Sequence, residues 1–192
     1  MKKHKKGTPG YLNYKKRVEI IRTILYFAIV AAVFFLGYSQ THTRKNVLTI
    51  VAILGCLPAS KALVGVITRL PYRSIESSVA KEIQDKSGHL SVIYDLVVTS
   101  TEKIMPIDCI VVSGNTIFGY ASSTKVDLKY AAGHIKDILI KNQFSYVSVK
   151  LFNQYNAFLA RVEGLDNIAA VEKEDTKEHE QMICHVIQNI SL

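Results

Sequence analysis

The sequence predicts an α+β membrane protein: an N-terminal two-helix transmembrane hairpin, then a small α/β domain of element order α-β-β-β-α-β-α-α. Three observations predict it. Two apolar runs, at about residues 20–38 and 47–68, lie close together near the start of the 192-residue chain. Charge is divided sharply along the sequence. From Ser74 onward, helical and alternating apolar patterns follow one another as in a soluble domain. The expected boundaries are a basic tail over residues 1–22, the hairpin over 23–69 and the α/β domain over 74–192. Hydrophobic residues make up 48% of the chain, which excludes disorder throughout.

Up to Arg73 there are 13 Lys/Arg against a single acid, Glu19, a net +12. From Ser74 there are 11 Lys/Arg against 15 Asp/Glu, a net −4. The overall +8 is therefore the +12 of the first part offset by the −4 of the rest. A segment this basic beside apolar runs points to a membrane surface.

The first run extends without charge from Thr23 to Tyr38, and reaches the roughly 20 residues needed to span a bilayer if Ile20, Ile21 and a snorkelling Arg22 join it. The second, Val47 to Thr68, is broken only by Lys61, near enough to its end to reach the headgroups. A short link containing Arg44 and Lys45 makes the two helices antiparallel. The excess of basic residues before the first run sets the expected topology in the cell membrane: two spans, with both termini cytoplasmic. Gly37-Tyr38-Ser39-Gln40-Thr41 does not resemble a signal-peptide cleavage site, and a second apolar run follows. Pro58 is expected to kink the second helix. Gly55 and Ala59, four apart, permit close helix contact. Lys2, Lys3, Lys5, Lys6, Lys15, Lys16 and Arg17 are the residues expected on the anionic inner leaflet.

In the domain, Ile75, Val79 and Ile83 fall on one helical face after a Ser74 cap, and Ser87-Gly88 ends that helix. Leu90–Thr99 and Met105–Ser113 are β-rich, with Pro106 expected at a strand start. Gly114-Asn115 is a hairpin turn signal leading to a strand over 116–121. A helix over about 126–142 carries Ala131, Ile135, Ile138 and Leu139, and a strand over 144–152 follows. Asn153 can cap a helix that Gly164 is expected to terminate. The acidic stretch 172–180 reads as a solvated helix start. The apolar face Met182, Ile183, Val186, Ile187 and Ile190 completes the core.

The order α-β-β-β-α-β, together with Ile107-Asp108-Cys109-Ile110-Val111-Val112-Ser113, Gly114, Tyr130-Ala131-Ala132-Gly133-His134 and Val147–Phe152, resembles the PD-(D/E)xK nuclease superfamily. Within it, the nuclease-related domain (NERD) branch is the nearest likeness, over roughly residues 74–153. The resemblance implies a restriction-endonuclease-like core. There, an Asp and a Glu hold a divalent cation, commonly Mg²⁺, that activates water beside an assisting Lys. Asp108 matches the Asp. The Glu-x-Lys positions fall at Ala121-Ser122-Ser123, which carry neither residue. The resemblance thus implies a degenerate pseudoenzyme. Asp108 and Asp95 are the catalytic candidates, and Mg²⁺ enters only if nuclease activity remains.

Cys56, Cys109 and Cys184 occur in unrelated contexts and read as reduced thiols, Cys109 buried in a strand. His179, Cys184 and His185 lack a second ligand pair at a zinc spacing and read as helix surface. His134 reads as a packed or exposed residue. The expected partners are the bilayer and other membrane or cytoplasmic proteins. The −4 domain weighs against a nucleic-acid partner. The expected function is a non-catalytic interaction or regulatory module. The alternatives are a membrane-tethered metal-dependent nuclease or a small subunit of a larger membrane complex.

Overall fold

The computed structural model describes residues 4–42, 46–172 and 176–192. The chain divides into two compact units, Leu12–Arg73 and a second formed by Met1–Tyr11 with Ser74–Leu192. The architecture is α+β, with two long apolar helices and a four-stranded mixed sheet.

The helical unit holds α1 (Tyr11–Thr41) and α2 (Val47–Arg69), both long and apolar enough to cross a membrane. At 1.5 Å per residue, α1 extends about 46 Å, beyond the ~30 Å hydrocarbon core of a bilayer. It takes in Lys15, Lys16 and Arg17, so the expected basic tail is helical there. α2 continues through Pro58. Large apolar side chains such as Ile24, Phe35, Ile53 and Leu57 point outward, while the small Ala52 and Ala59 are buried. A Cβ on Gly55 would stand 3.0 Å from Val30, so the expected close approach at Gly55 and Ala59 is present. Asn46 caps α2 by accepting from the Thr49 N–H at 2.7 Å. Arg44 and Lys45 lie outside the described residues.

In the α/β unit, α3 (Ser77–Asp85) precedes β1 (Ser91–Thr99), β2 (Ile104–Ser113) and β3 (Thr116–Tyr120). Then come α4 (Leu128–Lys141), β4 (Ser148–Phe152), α5 (Tyr155–Glu172) and α6 (Lys177–Asn189). The spatial order is β1-β2-β3-β4. The first three strands form an antiparallel meander, and β4 joins β3 in parallel. α4 and α6 cover one face, burying Ile135, Leu139, Ile183 and Ile187 against Ile110, Val112 and Ile117. The other face buries Ile83 of α3 and Phe158 and Val162 of α5 against Tyr94, Cys109 and Val111.

Several local expectations are revised. Glu76, not Ser74, holds the N-cap position of α3. Gly164 does not end α5, which runs on to Glu172. A glycine costs a helix about 1 kcal/mol, less than is gained by Phe158, Leu159, Val162, Leu165 and Ala169 packing on one face. β4 starts at Ser148 rather than Phe144, because Gln143 turns the chain with φ +73° after α4. Pro106 lies inside β2, opposite Val97. The Val97 N–H points away from β2, to Ser191 Oγ at 2.8 Å. Pro106 therefore sits where the ladder needs no donor.

The acidic stretch is not uniformly solvated. Glu180 is only 3% exposed. Its carboxylate accepts from Ser91 Oγ at 2.6 Å, Gly114 N–H at 2.9 Å and Thr176 Oγ1 at 3.0 Å, with Lys177 Nζ 3.6 Å away. It thereby locks α6 to the start of β1 and to the β2–β3 turn.

Candidate functional site

The two aspartates singled out in the sequence meet in the sheet. The β1–β2 register pairs Tyr94 with Cys109 and Leu96 with Ile107, which leaves Asp95 opposite Asp108. At that step both strands change face. Tyr94 and Cys109 turn to the α3/α5 side, and Ile93 and Ile110 to the α4/α6 side. Regular alternation would send Leu96 and Ile107 to the α3/α5 side. Instead Leu96, Val98, Met105 and Ile107 all pack on the α4/α6 side. Asp95 makes the shift by adopting φ +57°, a conformation that Asp tolerates better than most residues.

Each carboxylate at the shift serves the main chain. Asp95 is 1% exposed, and its Oδ1 accepts from the Ile75 N–H at 2.9 Å. Asp108 Oδ2 accepts from the Ser122 N–H at 2.5 Å. Ser122 lies within Ala121-Ser122-Ser123, so this segment stands beside Asp108 in space. Burial pushes the Cys109 thiol well above its usual range, and the nearby Asp108 and Asp95 charges add to the effect. Burial also raises Tyr120, with Asp108 contributing. Burial raises Tyr155 too, and its hydroxyl donates to Glu82 Oε2 at 2.8 Å. Among the described residues, no three His, Cys, Asp or Glu side chains form a group that could hold a metal ion.

The outer edge of β1 is closed beside this shift by a segment that precedes α1. The Tyr94 N–H donates to the Gly7 carbonyl at 2.9 Å. Lys6 Nζ donates to the Ser191 carbonyl at 2.5 Å. Gly7 has φ +84°, and any Cβ there would press into the Gln188 side chain and Ile93. Farther along, the Thr99 N–H donates to the Ile190 carbonyl at 3.3 Å and the Leu192 N–H to the Val97 carbonyl at 3.0 Å. Lys6, expected on the membrane surface, is thus bound to the domain, while Lys5 is exposed. Lys2 and Lys3 lie outside the described residues. Nothing in the sequence of residues 4–10 marks them as part of a sheet edge.

In the helical unit, Glu19 is buried between Lys15 at 3.6 Å and Arg22 at 3.7 Å. Lys16 Nζ donates to the Leu70 carbonyl at 2.9 Å and Arg69 to the Gly65 carbonyl at 3.2 Å. Lys15, Lys16 and Arg69 are half-buried and Arg17 is exposed.

The histidine and cysteine candidates stay apart. His134 Nε2 lies 3.3 Å from the Thr99 carbonyl, and its ring stacks on Tyr130. His179 pairs with Asn115 Oδ1 at 2.8 Å, and His185 with Asn189 at 3.2 Å. Cys184 is buried, and burial together with the Glu180 charge pushes its thiol up to about 12. Comparison of the chain with family models, with curated proteins and with solved structures gave no match.

Proposed function

We propose that this protein is a membrane-anchored, non-catalytic interaction module that holds an α/β domain at the cytoplasmic face of the membrane. The observation that carries the reading is the path of the chain. It leaves the α/β unit after Tyr11 and re-enters it at Ser74, with both apolar helices between. A domain tied to a hairpin by two strands of chain cannot drift from the bilayer as one on a single linker can. Lys15, Lys16, Arg17 and Arg22 lie in the first turns of α1, and Arg69 and Arg73 at the end of α2 and just beyond it, where an anionic inner leaflet would receive them.

The non-catalytic part rests on what the carboxylates do. Asp95 and Asp108 spend acceptor capacity on main-chain N–H groups, and residues 121–123 offer neither acid nor lysine. Topology is tested by labelling single cysteines placed at Lys5 and Leu192 in intact cells and in inverted vesicles. Labelling of either from outside intact cells overturns the reading.

One observation favours a nuclease ancestry. Asp108 touches the segment that stands where the Glu-x-Lys of a PD-(D/E)xK enzyme would be. An active nuclease of this type would cleave DNA in Mg²⁺ or Mn²⁺ and lose that cleavage in Asp108→Ala. On our reading the 192-residue chain in detergent gives no cleavage above the Asp108→Ala background.

A further inference from the structure

The two edges of the sheet are treated differently. The β1 edge is covered by Gly7 and by Ile190–Leu192. The other edge, β4, pairs on one side only among the described residues. Ser148 N–H donates to Asn115 O at 2.9 Å, and Ala121 N–H to Phe152 O at 2.9 Å. Main-chain groups of residues 148, 150 and 152 therefore point to β3, and those of Val149 and Leu151 point away from it. Neither Val149 nor Leu151 makes a further main-chain bond among the described residues.

The side chains along this edge narrow what could add to it. Lys150 is exposed at the centre of the strand, with Nζ 5.3 Å from the Phe152 ring centroid. It has no carboxylate partner among the described residues. A second copy pairing antiparallel about this centre would set Lys150 against Lys150, and like charges directly opposite repel. A central edge lysine of this kind blocks self-association. The same charge is complementary to an acid. On the opposite face of the strand, Val149 packs at the margin of the α4/α6 core. Tyr146, 89% exposed just before the strand, offers an aromatic flank.

We infer that the β4 edge is the docking surface of this module, and that it takes an extended segment of a partner protein with an acid opposite Lys150 and apolar residues on either side. The partner adds as a fifth strand. Val149 and Leu151 supply the main-chain bonds, and Lys150 supplies the choice. This rests on the interaction-module reading and gives that reading its surface.

The test uses the full chain in nanodiscs of phosphatidylcholine and phosphatidylglycerol, with amide exchange followed at Val149 and Leu151. The probes are acetyl-Ser-Val-Glu-Val-Ser-amide and the same peptide with Lys in place of Glu, each at millimolar concentration. The Glu peptide slows exchange at both amides. It does so by about threefold more than the Lys peptide, the size of preference a cross-strand charge pair confers. Lys150→Glu reverses the preference, and as an exposed substitution it leaves the fold intact. Three results overturn the inference: exchange already slow before peptide is added, no slowing by either peptide, or equal slowing by both. Cysteine labelling reads the membrane topology independently, so the anchor can stand while the docking surface falls, or the reverse.

Discussion

Asp95 and Asp108 occupy opposing positions on neighbouring strands, and each hands its carboxylate to a distant main-chain N–H, that of Ile75 and that of Ser122. The pair marks where β1 and β2 change face together. A sheet built this way depends on Asp95 for two separate reasons, its backbone conformation and its acceptor.

Substitutions at Asp95 should separate those reasons. Asp95→Asn keeps an oxygen acceptor and a side chain tolerant of φ +57°, and costs least. Asp95→Gly keeps the conformation but orphans the Ile75 N–H, a loss of about 1–3 kcal/mol. Asp95→Ala loses both and is the most destabilising of the three. Denaturant unfolding of the domain signal in detergent checks the order.

Gly7 should be intolerant of a side chain although it lies outside every helix and strand. Gly7→Leu meets the Gln188 side chain and Ile93 and opposes φ +84°. The segment then lifts from β1, and the Tyr94 amide exchanges faster. Lys6→Ala removes one hydrogen bond, to Ser191, and accelerates the same amide less. Unchanged exchange at Tyr94 in Gly7→Leu would refute the assignment of residues 4–10 to the sheet edge.

Gly119→Ala should destabilise the centre of the sheet. The new Cβ would overlap the buried Leu151 side chain and stand 3.3 Å from Ile110. Overpacking of this sort costs about 1–3 kcal/mol. Trimming the obstacle with Leu151→Ala in the same chain should recover part of the loss, so the two changes are non-additive. A thermal or denaturant double-mutant cycle measures the coupling.

Acid should loosen the start of α4 through Asp127. Its carboxylate accepts from the Tyr130 N–H at 3.1 Å and lies 3.3 Å from Lys103 Nζ. The Tyr130 bond and then the Lys103 contact hold its pKa below the ordinary 3.8. The folded state thus favours the charged form more than the unfolded state does. The resulting stabilisation is present above the ordinary value and fades as pH falls through the lowered folded one. Asp127→Asn keeps the cap and removes this acid dependence. Amide exchange at Tyr130 between neutral pH and pH 3 distinguishes the two proteins.

Much of the element order was legible in the sequence, because apolar periodicity states directly which segments must be buried. Ile135 and Leu139 of α4, and Ile183 and Ile187 of α6, lie where their spacing places them. The change of face at Asp95 and Asp108 was hidden for the same reason. Every neighbour from Ile93 to Val98 other than Asp95 is apolar, so no polar alternation recorded the phase of the strand. Both aspartates were identifiable as unusual, an acid inside each apolar run, but their shared register position depends on tertiary pairing. Glu180 was hidden in another way. An acidic run suggests solvent, and only the arrival of Ser91 and Gly114 makes one of its members an interior acceptor. Gly7 needed a partner, Tyr94, that lies beyond two membrane-length helices in the sequence.

That last separation governs the order in which the protein can be assembled. Gly7 leaves the ribosome before either apolar helix and has no seat until Tyr94 has been made. Lys6 waits longer still, for Ser191, 185 residues later. By then both long apolar helices have been translated. Contacts of such sequence separation carry a large loop-closure cost and form slowly, so closure of the β1 edge by this segment follows the synthesis of both long helices. Until it happens, the outer edge of β1 beside Tyr94 is left without that partner.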